Sequence, residues 1–117
     1  MQIIIKTTQI ELTDALNQYV EDRIKSLEKY IGRFEEQGES VARVELARTT
    51  QHHRNGDVFN VEVNLQLDGE VIRAERDGED MYATIDAVKD VLKVEIQKFK
   101  DLRVDKPISD AQRAEEV

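Results

Sequence analysis

The chain has 117 residues, 39% of them hydrophobic, which suits one globular domain with a single modest core. It contains no cysteine, so disulfides, thiol nucleophiles and thiolate metal sites are excluded. The sequence lacks both an apolar run of about 18 residues and a secretory signal pattern, so we expect a cytoplasmic protein that does not enter a membrane. The formal net charge of −8 argues against a generic nucleic-acid binder, because lysine and arginine are what meet phosphates.

The first third of the chain predicts a strand followed by a helix. Residues 2–7 include three successive isoleucines, which favours a strand. Thr13 predicts the N-cap of a helix, because apolar residues then recur every three or four positions from Leu16 to Phe34. Acidic and basic side chains occupy separate edges of its exposed side. This sorting is typical of a solvated face with internal ion pairs or of an edge that faces phosphates, and the sequence leaves both open.

Three strands are predicted in the middle of the chain. Residues 41–49, 58–67 and 71–76 alternate apolar and polar side chains, which indicates strands with one wet face. The Asn-Gly pair at 55–56 and the Asp-Gly pair at 68–69 predict hairpin turns. The hairpins make these strands antiparallel, and a right-handed crossover makes the first two strands parallel. Both helices should therefore cover the same face of the sheet.

Residues 79–103 carry the longest amphipathic helix pattern in the chain, with either Asp77 or Asp80 as its cap. Its predicted core stripe consists of Met81, Ile85, Val88, Leu92, Ile96 and Phe99. The fold class is thus α+β, a β-α-β-β-β-α two-layer sandwich in which a four-stranded sheet carries two helices on one face. Residues 1–104 form the domain, and residues 105–117, which contain the only proline, predict a flexible C-terminal tail.

Catalytic and metal-binding motifs are scarce. His52 and His53 are adjacent in a predicted hairpin loop, and neighbouring residues on an extended chain chelate one ion poorly. The sequence has no glycine-rich phosphate loop and no nucleophile elbow. A thin two-layer domain also leaves little room for the desolvated pocket that paired-carboxylate catalysis needs. We therefore expect no enzymatic activity, metal, cofactor or small-molecule substrate.

The basic residues are concentrated on the two predicted helices. Residues 23–33 include four basic residues and one acidic residue, and residues 89–103 include five basic and three acidic residues. On the second helix, Tyr82, Lys89, Lys93 and Lys100 share one flank. A stacking ring and ammonium groups placed there suit a phosphate backbone, although lysine stems beside a core stripe also occur for packing alone.

Three segments, at residues 11–31, 69–86 and 96–100, resemble the short form of the ribosome hibernation-promoting factor family. This family is also called protein Y, ribosome-associated translation inhibitor or sigma-54 modulation protein. The resemblance covers residues 1 to about 103, and EDMYATID at residues 79–86 is its most specific piece. It implies a fold similar to double-stranded-RNA-binding domains. It also implies a protein that binds the small ribosomal subunit near the decoding centre and blocks messenger and transfer RNA.

The resemblance further implies that basic residues of both helices contact ribosomal RNA, from a chain that is monomeric when free. The predicted RNA-binding residues are Arg23, Lys25, Lys29, Arg33, Tyr82, Lys89, Lys93, Lys98 and Lys100. The chain departs from the family at four positions that are often basic, namely Asn17, Ser26, Val91 and Val94. An alternative hypothesis is a protein-binding regulatory module that uses the acidic sheet face or exposed Val91 and Val94.

Overall fold

The computed structural model describes the backbone of residues 1–35, 40–49 and 58–108, and the side chains in these ranges other than 33–35 and 103–108. In chain order the elements are β1 (Gln2–Thr8), α1 (Asp14–Lys25), α2 (Glu28–Glu35), β2 (Val41–Arg48), β3 (Phe59–Leu67), β4 (Glu70–Gly78) and α3 (Met81–Ile108). The α+β class and the order of strands are those predicted. His52, His53 and the predicted Asn55-Gly56 turn lie outside the described residues.

The four strands form one mixed sheet in the order β1-β2-β3-β4. β1 pairs with β2 in parallel, and the β2–β3 and β3–β4 pairings are antiparallel, which confirms the predicted topology. Asp68 and Gly69 connect β3 to β4 with φ angles of 51° and 81°. Two successive positive φ values define a type I′ turn, whose twist matches that of the strands, and an Asp-Gly pair adopts it with little strain.

One face of the sheet carries the hydrophobic core. The buried strand residues alternate along β2, β3 and β4 and are Ala42, Val44, Leu46, Val61, Val63, Leu65, Leu67, Ile72 and Ala74. The predicted stripe of α3 is buried against them, and each side chain of this kind contributes about 1.5–3 kcal/mol. Because these strand residues all point to one side, the helices share that face, and no helix of residues 1–35, 40–49 and 58–108 covers the opposite face of the sheet.

The first predicted helix is wrong in one respect, because it consists of two helices separated by Ser26 and Leu27. The Ser26 hydroxyl donates to the Arg23 carbonyl at 2.6 Å. The N–H of Leu27 donates to the carbonyl of Ile24, three residues back instead of four. Serine favours such local bonds, and they tighten the chain into a 3₁₀-like turn. The apolar stripe continues through the break, since Ile24, Leu27 and Ile31 are all buried.

The start of α3 is tied to the end of β4. Asp80 caps the helix by accepting from the N–H of Tyr82 at 2.9 Å, and Thr13 caps α1 in the same way. The buried Thr84 hydroxyl donates to the Asp80 carbonyl at 2.6 Å. A Cβ atom at Gly78 would overlap this hydroxyl, so the position requires glycine because of close approach.

The end of α3 differs from the prediction. The helix continues to Ile108, so the first four residues assigned to the tail, 105–108, are helical. The apolar stripe ends at Phe99, but a helix that is already nucleated adds a backbone hydrogen bond for each further residue that has an N–H, which Pro107 lacks. Residues 109–117 lie outside the described ranges. No helix in the described part of the chain is both long enough and apolar enough to cross a membrane.

Candidate nucleic-acid interface

α1 and α2 both contact α3 on the helical side of the domain, and we call the line where they meet α3 the interhelical seam. Helical spacing places five polar residues of α3 on the flank that faces this seam: Tyr82, Asp86, Lys89, Lys93 and Lys100. Lys98 follows Lys93 by five residues and therefore points about 140° away around the helix. The structure thus separates Lys98 from the other predicted lysines of α3.

A polar cluster joins α1 to α3 at one end of the seam. Asp86 accepts hydrogen bonds from the Tyr19 hydroxyl at 2.7 Å and from Arg23 Nε at 2.9 Å. The Arg23 guanidinium carbon lies 4.1 Å from the centroid of the Tyr19 ring. The Tyr82 ring meets the Tyr19 ring edge to face, with centroids 4.7 Å apart. The predicted RNA-binding residues Arg23 and Tyr82 therefore take part in an interhelical contact.

The ionisation of this cluster follows from its hydrogen bonds. Partial burial acts to raise the pKa of Asp86, but the hydrogen bonds from Tyr19 and Arg23 outweigh it and hold this pKa below its ordinary value. The hydrogen bond to Asp86 raises the pKa of Tyr19, because a phenolate there would lie beside a carboxylate. The same carboxylate raises the pKa of Arg23. The Arg23–Asp86 pair is thus neutral overall and attracts phosphates only weakly.

A second cluster lies where α2 meets α3, and unlike the first it is not neutral. It consists of Lys29, Tyr30 and Lys93, and we call it the lysine cluster. The ammonium nitrogens of Lys29 and Lys93 each lie 5.3 Å from the centroid of the Tyr30 ring, which is within cation–π range. Neither lysine forms an ion pair with a described carboxylate. Interaction with Lys93, supplemented by Lys29, lowers the pKa of the Tyr30 phenol despite the opposing effect of partial burial. The cluster therefore carries two positive charges that are not in ion pairs with described carboxylates, in a chain of net charge −8.

The other predicted cations differ in how far their charge is compensated. Lys25 is exposed and Lys100 half-buried, and neither forms an ion pair within the described ranges. Lys89 and Lys98 lie 3.6 Å and 3.2 Å from carboxylates of their own helix. Arg33 belongs to α2, but its side chain is outside the description. Lys25 and Lys100 thus add uncompensated charge to the helical layer, whereas Lys89 and Lys98 add less.

The alternative hypothesis uses two valines of α3, and the structure exposes only one of them. Val94 is 55% exposed on α3, in agreement with the prediction. The expectation that Val91 is exposed is wrong, because Val91 is half-buried and packs against the core. Its position at the edge of the apolar stripe turns it toward the sheet. The apolar patch on this side of α3 is therefore smaller than the sequence predicted.

The helix-free face of the sheet carries an acidic row. Glu45, Glu62 and Glu75 stand opposite one another on β2, β3 and β4. Arg73 pairs with Glu62 and, at 3.2 Å, with Glu75, while Glu45 accepts from the Thr8 hydroxyl at 2.9 Å. This row lies on the side of the domain opposite the lysine cluster. The fold therefore separates acidic and basic surfaces that are mixed along the sequence.

Sequence reasoning missed three residues of the seam, namely Tyr19, Tyr30 and Asp86. Tyr19 and Arg23 are four residues apart and Tyr30 follows seven later, a spacing that places all three on one flank of a helix. This spacing predicts that the three side chains face the same neighbouring element. Nothing comparable identifies Asp86, because its partners depend on how α1 lies against α3.

Where α2 meets α3, the seam offers two ammonium groups, the Tyr30 hydroxyl and the Tyr30 ring, which are the kinds of group that contact phosphates and bases in RNA. Across residues 1–35, 40–49 and 58–108, no group of three histidine, aspartate or glutamate side chains is arranged to hold a metal ion. The arrangement is thus suited to contact with a nucleic-acid backbone.

The sequence profile of the family described as sigma 54 modulation protein / S30EA ribosomal protein matches residues 3–103. The chain belongs to this family. Within the S30EA family, a ribosome hibernation promotion factor from Deinococcus radiodurans is 39% identical over 92 residues, which cover 78% of this chain and 44% of that protein. A ribosome hibernation promoting factor from Azotobacter vinelandii is 30% identical over 106 residues, covering 91% and 89% of the two chains. The chain thus spans less than half the length of the Deinococcus relative.

A solved S30EA structure has the same fold. The N-terminal domain of Thermus thermophilus protein Y superimposes with a TM-score of 0.67 at 29% identity, covering 85% of this chain and 99% of that domain. This match and the profile confirm the resemblance to the hibernation-promoting factor family and the α+β architecture.

Proposed function

We propose that this chain is a ribosome hibernation factor that binds ribosomal RNA of the small subunit near the decoding centre. By occupying that site it excludes messenger and transfer RNA, so the inhibition is steric and involves no chemical step. Membership of the S30EA family and the names of its relatives support the ribosome as partner. The observation that carries the proposal is the meeting of two unpaired lysines, Lys29 and Lys93, at Tyr30.

An acidic chain can bind a polyanion in this way because its charges are separated in space. Screening limits the reach of a surface charge to about 8 Å at physiological ionic strength. The acidic row lies beyond the sheet and a helical layer about 10 Å thick, so it is largely screened from RNA docked on the helices. The lysine cluster then dominates the local interaction, although the net charge is −8.

The test is cosedimentation with purified small ribosomal subunits over a series of salt concentrations. A Lys29→Gln, Lys93→Gln double variant should bind more weakly than the parent. Each lost phosphate contact should flatten the plot of log K against log salt by about 0.7–0.9. A charge-matched control is Lys6→Gln with Lys98→Gln, which alters the helix-free sheet face and the opposite flank of α3. Equal loss of binding in both double variants would show that the lysine cluster is not the contact.

A second candidate is a protein-binding regulatory module without RNA contact. The exposure of Val94 and the open acidic row favour it. Under this hypothesis Val94→Asp abolishes partner binding, whereas charge reversal at Lys29 and Lys93 leaves it intact. Under the ribosome hypothesis the charge reversals are the damaging changes.

A further inference from the structure

The lysine cluster has the charged and hydrogen-bonding groups that a binding site for one phosphate group needs. We call this candidate site the phosphate seat. The two ammonium nitrogens each lie 5.3 Å from the centroid of the Tyr30 ring, so they are no more than twice 5.3 Å apart, and neither forms an ion pair with a described carboxylate. Like charges held this close repel one another, and a bound anion removes that repulsion. The proton of the Tyr30 hydroxyl has no acceptor among the described side chains, in contrast to Tyr19, whose hydroxyl donates to Asp86. Two cations and a hydroxyl donor are therefore grouped at one aromatic ring.

A groove of about 420 Å³ opens beside this seat. Its lining consists of Tyr30, Asp90, Lys93, Val94, Ile96 and Gln97. The volume is in the range of sites that hold a small ligand, about 300–1,000 Å³. Val94 offers an exposed apolar surface in the groove, and Asp90 and Gln97 offer polar groups. A nucleobase has the matching form, with apolar faces and a polar edge.

The charges along the groove give it a direction. Lys93 and Tyr30 lie at the seat, and the exposed carboxylate of Asp90 belongs to the same groove. A phosphate is repelled by Asp90, so it occupies the lysine end. A carboxylate accepts from an exocyclic amino group, which cytosine, adenine and guanine carry on the pairing edge and uracil does not. The Asp90 side therefore suits a base with an amino group.

We infer that this site holds one unpaired nucleotide of ribosomal RNA. Its phosphate lies between Lys29 and Lys93 and accepts from the Tyr30 hydroxyl, while its base lies against Val94 with an amino group toward Asp90. The inference rests on the proposed function and deepens it by assigning a neutral donor, Tyr30, and a preference against uridine. Single-stranded nucleotides are the form of RNA whose bases are open to such contacts.

Tyr30→Phe tests the phosphate seat, and Tyr19→Phe is the matched control. In small-subunit cosedimentation Tyr30→Phe should weaken binding about fivefold, the scale of one hydrogen bond, without changing the salt slope, because no charge is lost. Tyr19→Phe should leave binding within about twofold, since its hydroxyl faces Asp86. If the parent binds and Tyr30→Phe binds equally well, the inference fails while the proposed function stands. If the parent does not bind, both fail.

The base groove is tested by photocrosslinking with Val94→p-benzoylphenylalanine bound to the small subunit. The expected crosslink is to an unpaired cytidine, adenosine or guanosine, located by primer extension. A crosslink confined to helical RNA, to uridine or to a ribosomal protein would overturn the assignment of the groove. The same reagent placed at Ala83, an exposed position elsewhere on α3, reports crosslinking that does not depend on the groove.

Discussion

Asp86→Asn should loosen the contact between α1 and α3. The aspartate accepts two hydrogen bonds, from Tyr19 and Arg23, and asparagine keeps its shape but loses the charge and one acceptor oxygen. A hydrogen bond to a charged group is worth about 1.5–3 kcal/mol, and an exposed ion pair about 0–1 kcal/mol. The side chains of Arg23 and Asp86 are 39% and 41% exposed. Asp86→Asn should therefore lower the free energy of unfolding by an amount between those of an exposed ion pair and a charged hydrogen bond, at about 1–2 kcal/mol.

The effect should depend on pH with a defined sign. The pKa of Asp86 is lower in the folded protein than its unfolded value of about 3.9. A depressed carboxyl pKa contributes stability that is present above the unfolded pKa and is lost as pH falls through the folded pKa. The difference between the parent and Asp86→Asn should therefore be complete at pH 7 and shrink below about pH 4.

The measurement is urea unfolding followed by circular dichroism at pH 7 and again in acid. Asp90→Asn is the control, because Asp90 lies one turn along the same helix with its side chain 73% exposed, and its one ion pair within the described ranges is with Lys89 at 3.6 Å. It should change the free energy of unfolding by less than about 0.5 kcal/mol. If both variants lose the same amount at pH 7, or if the Asp86 difference persists in acid, the hydrogen bonds to Asp86 do not stabilise the helix pair as argued.

Two glycine substitutions test the turn and the helix start. Gly78→Ala should lower the free energy of unfolding by about 1–3 kcal/mol, because the added methyl group displaces the Thr84 hydroxyl from the Asp80 carbonyl. A thermal midpoint equal to the parent's would contradict this. Gly69→Ala should cost about 1 kcal/mol because of its φ of 81°. Gly32→Ala, in α2 with open space around it, should instead gain up to about 1 kcal/mol, so opposite signs are expected in the same denaturation assay.

Much of the fold follows from local pattern. The alternation in β3 and the Asp68-Gly69 pair predict a strand and its turn, because period-two burial and a type I′ turn each need only neighbouring residues. The break at Ser26 was missed, since the apolar spacing of the first helix continues across it. A serine within a helix pattern is compatible with either a continuous helix or a local turn.

The candidate site was only partly predictable. Lys29 and Lys93 were named from the basic character of their helices, but their meeting at Tyr30 depends on the packing of α2 against α3. Arg23 was named on the same grounds and instead lies against Asp86, 63 residues away in the chain. Whether a lysine or arginine is paired is decided by residues distant in sequence, which helix patterns do not report.

The sequence by itself determined the strands, the Thr13 cap, the core stripe of α3 and the excess of cations on the helices, because each depends on spacing along a few turns or residues. Only the tertiary structure decided which of those cations are neutralised and which converge, and that the acidic row occupies the opposite face. Electrostatic potential depends on distances in space between residues far apart in the chain. A count of charges along 117 residues therefore could not reveal the positive cluster that an acidic domain carries.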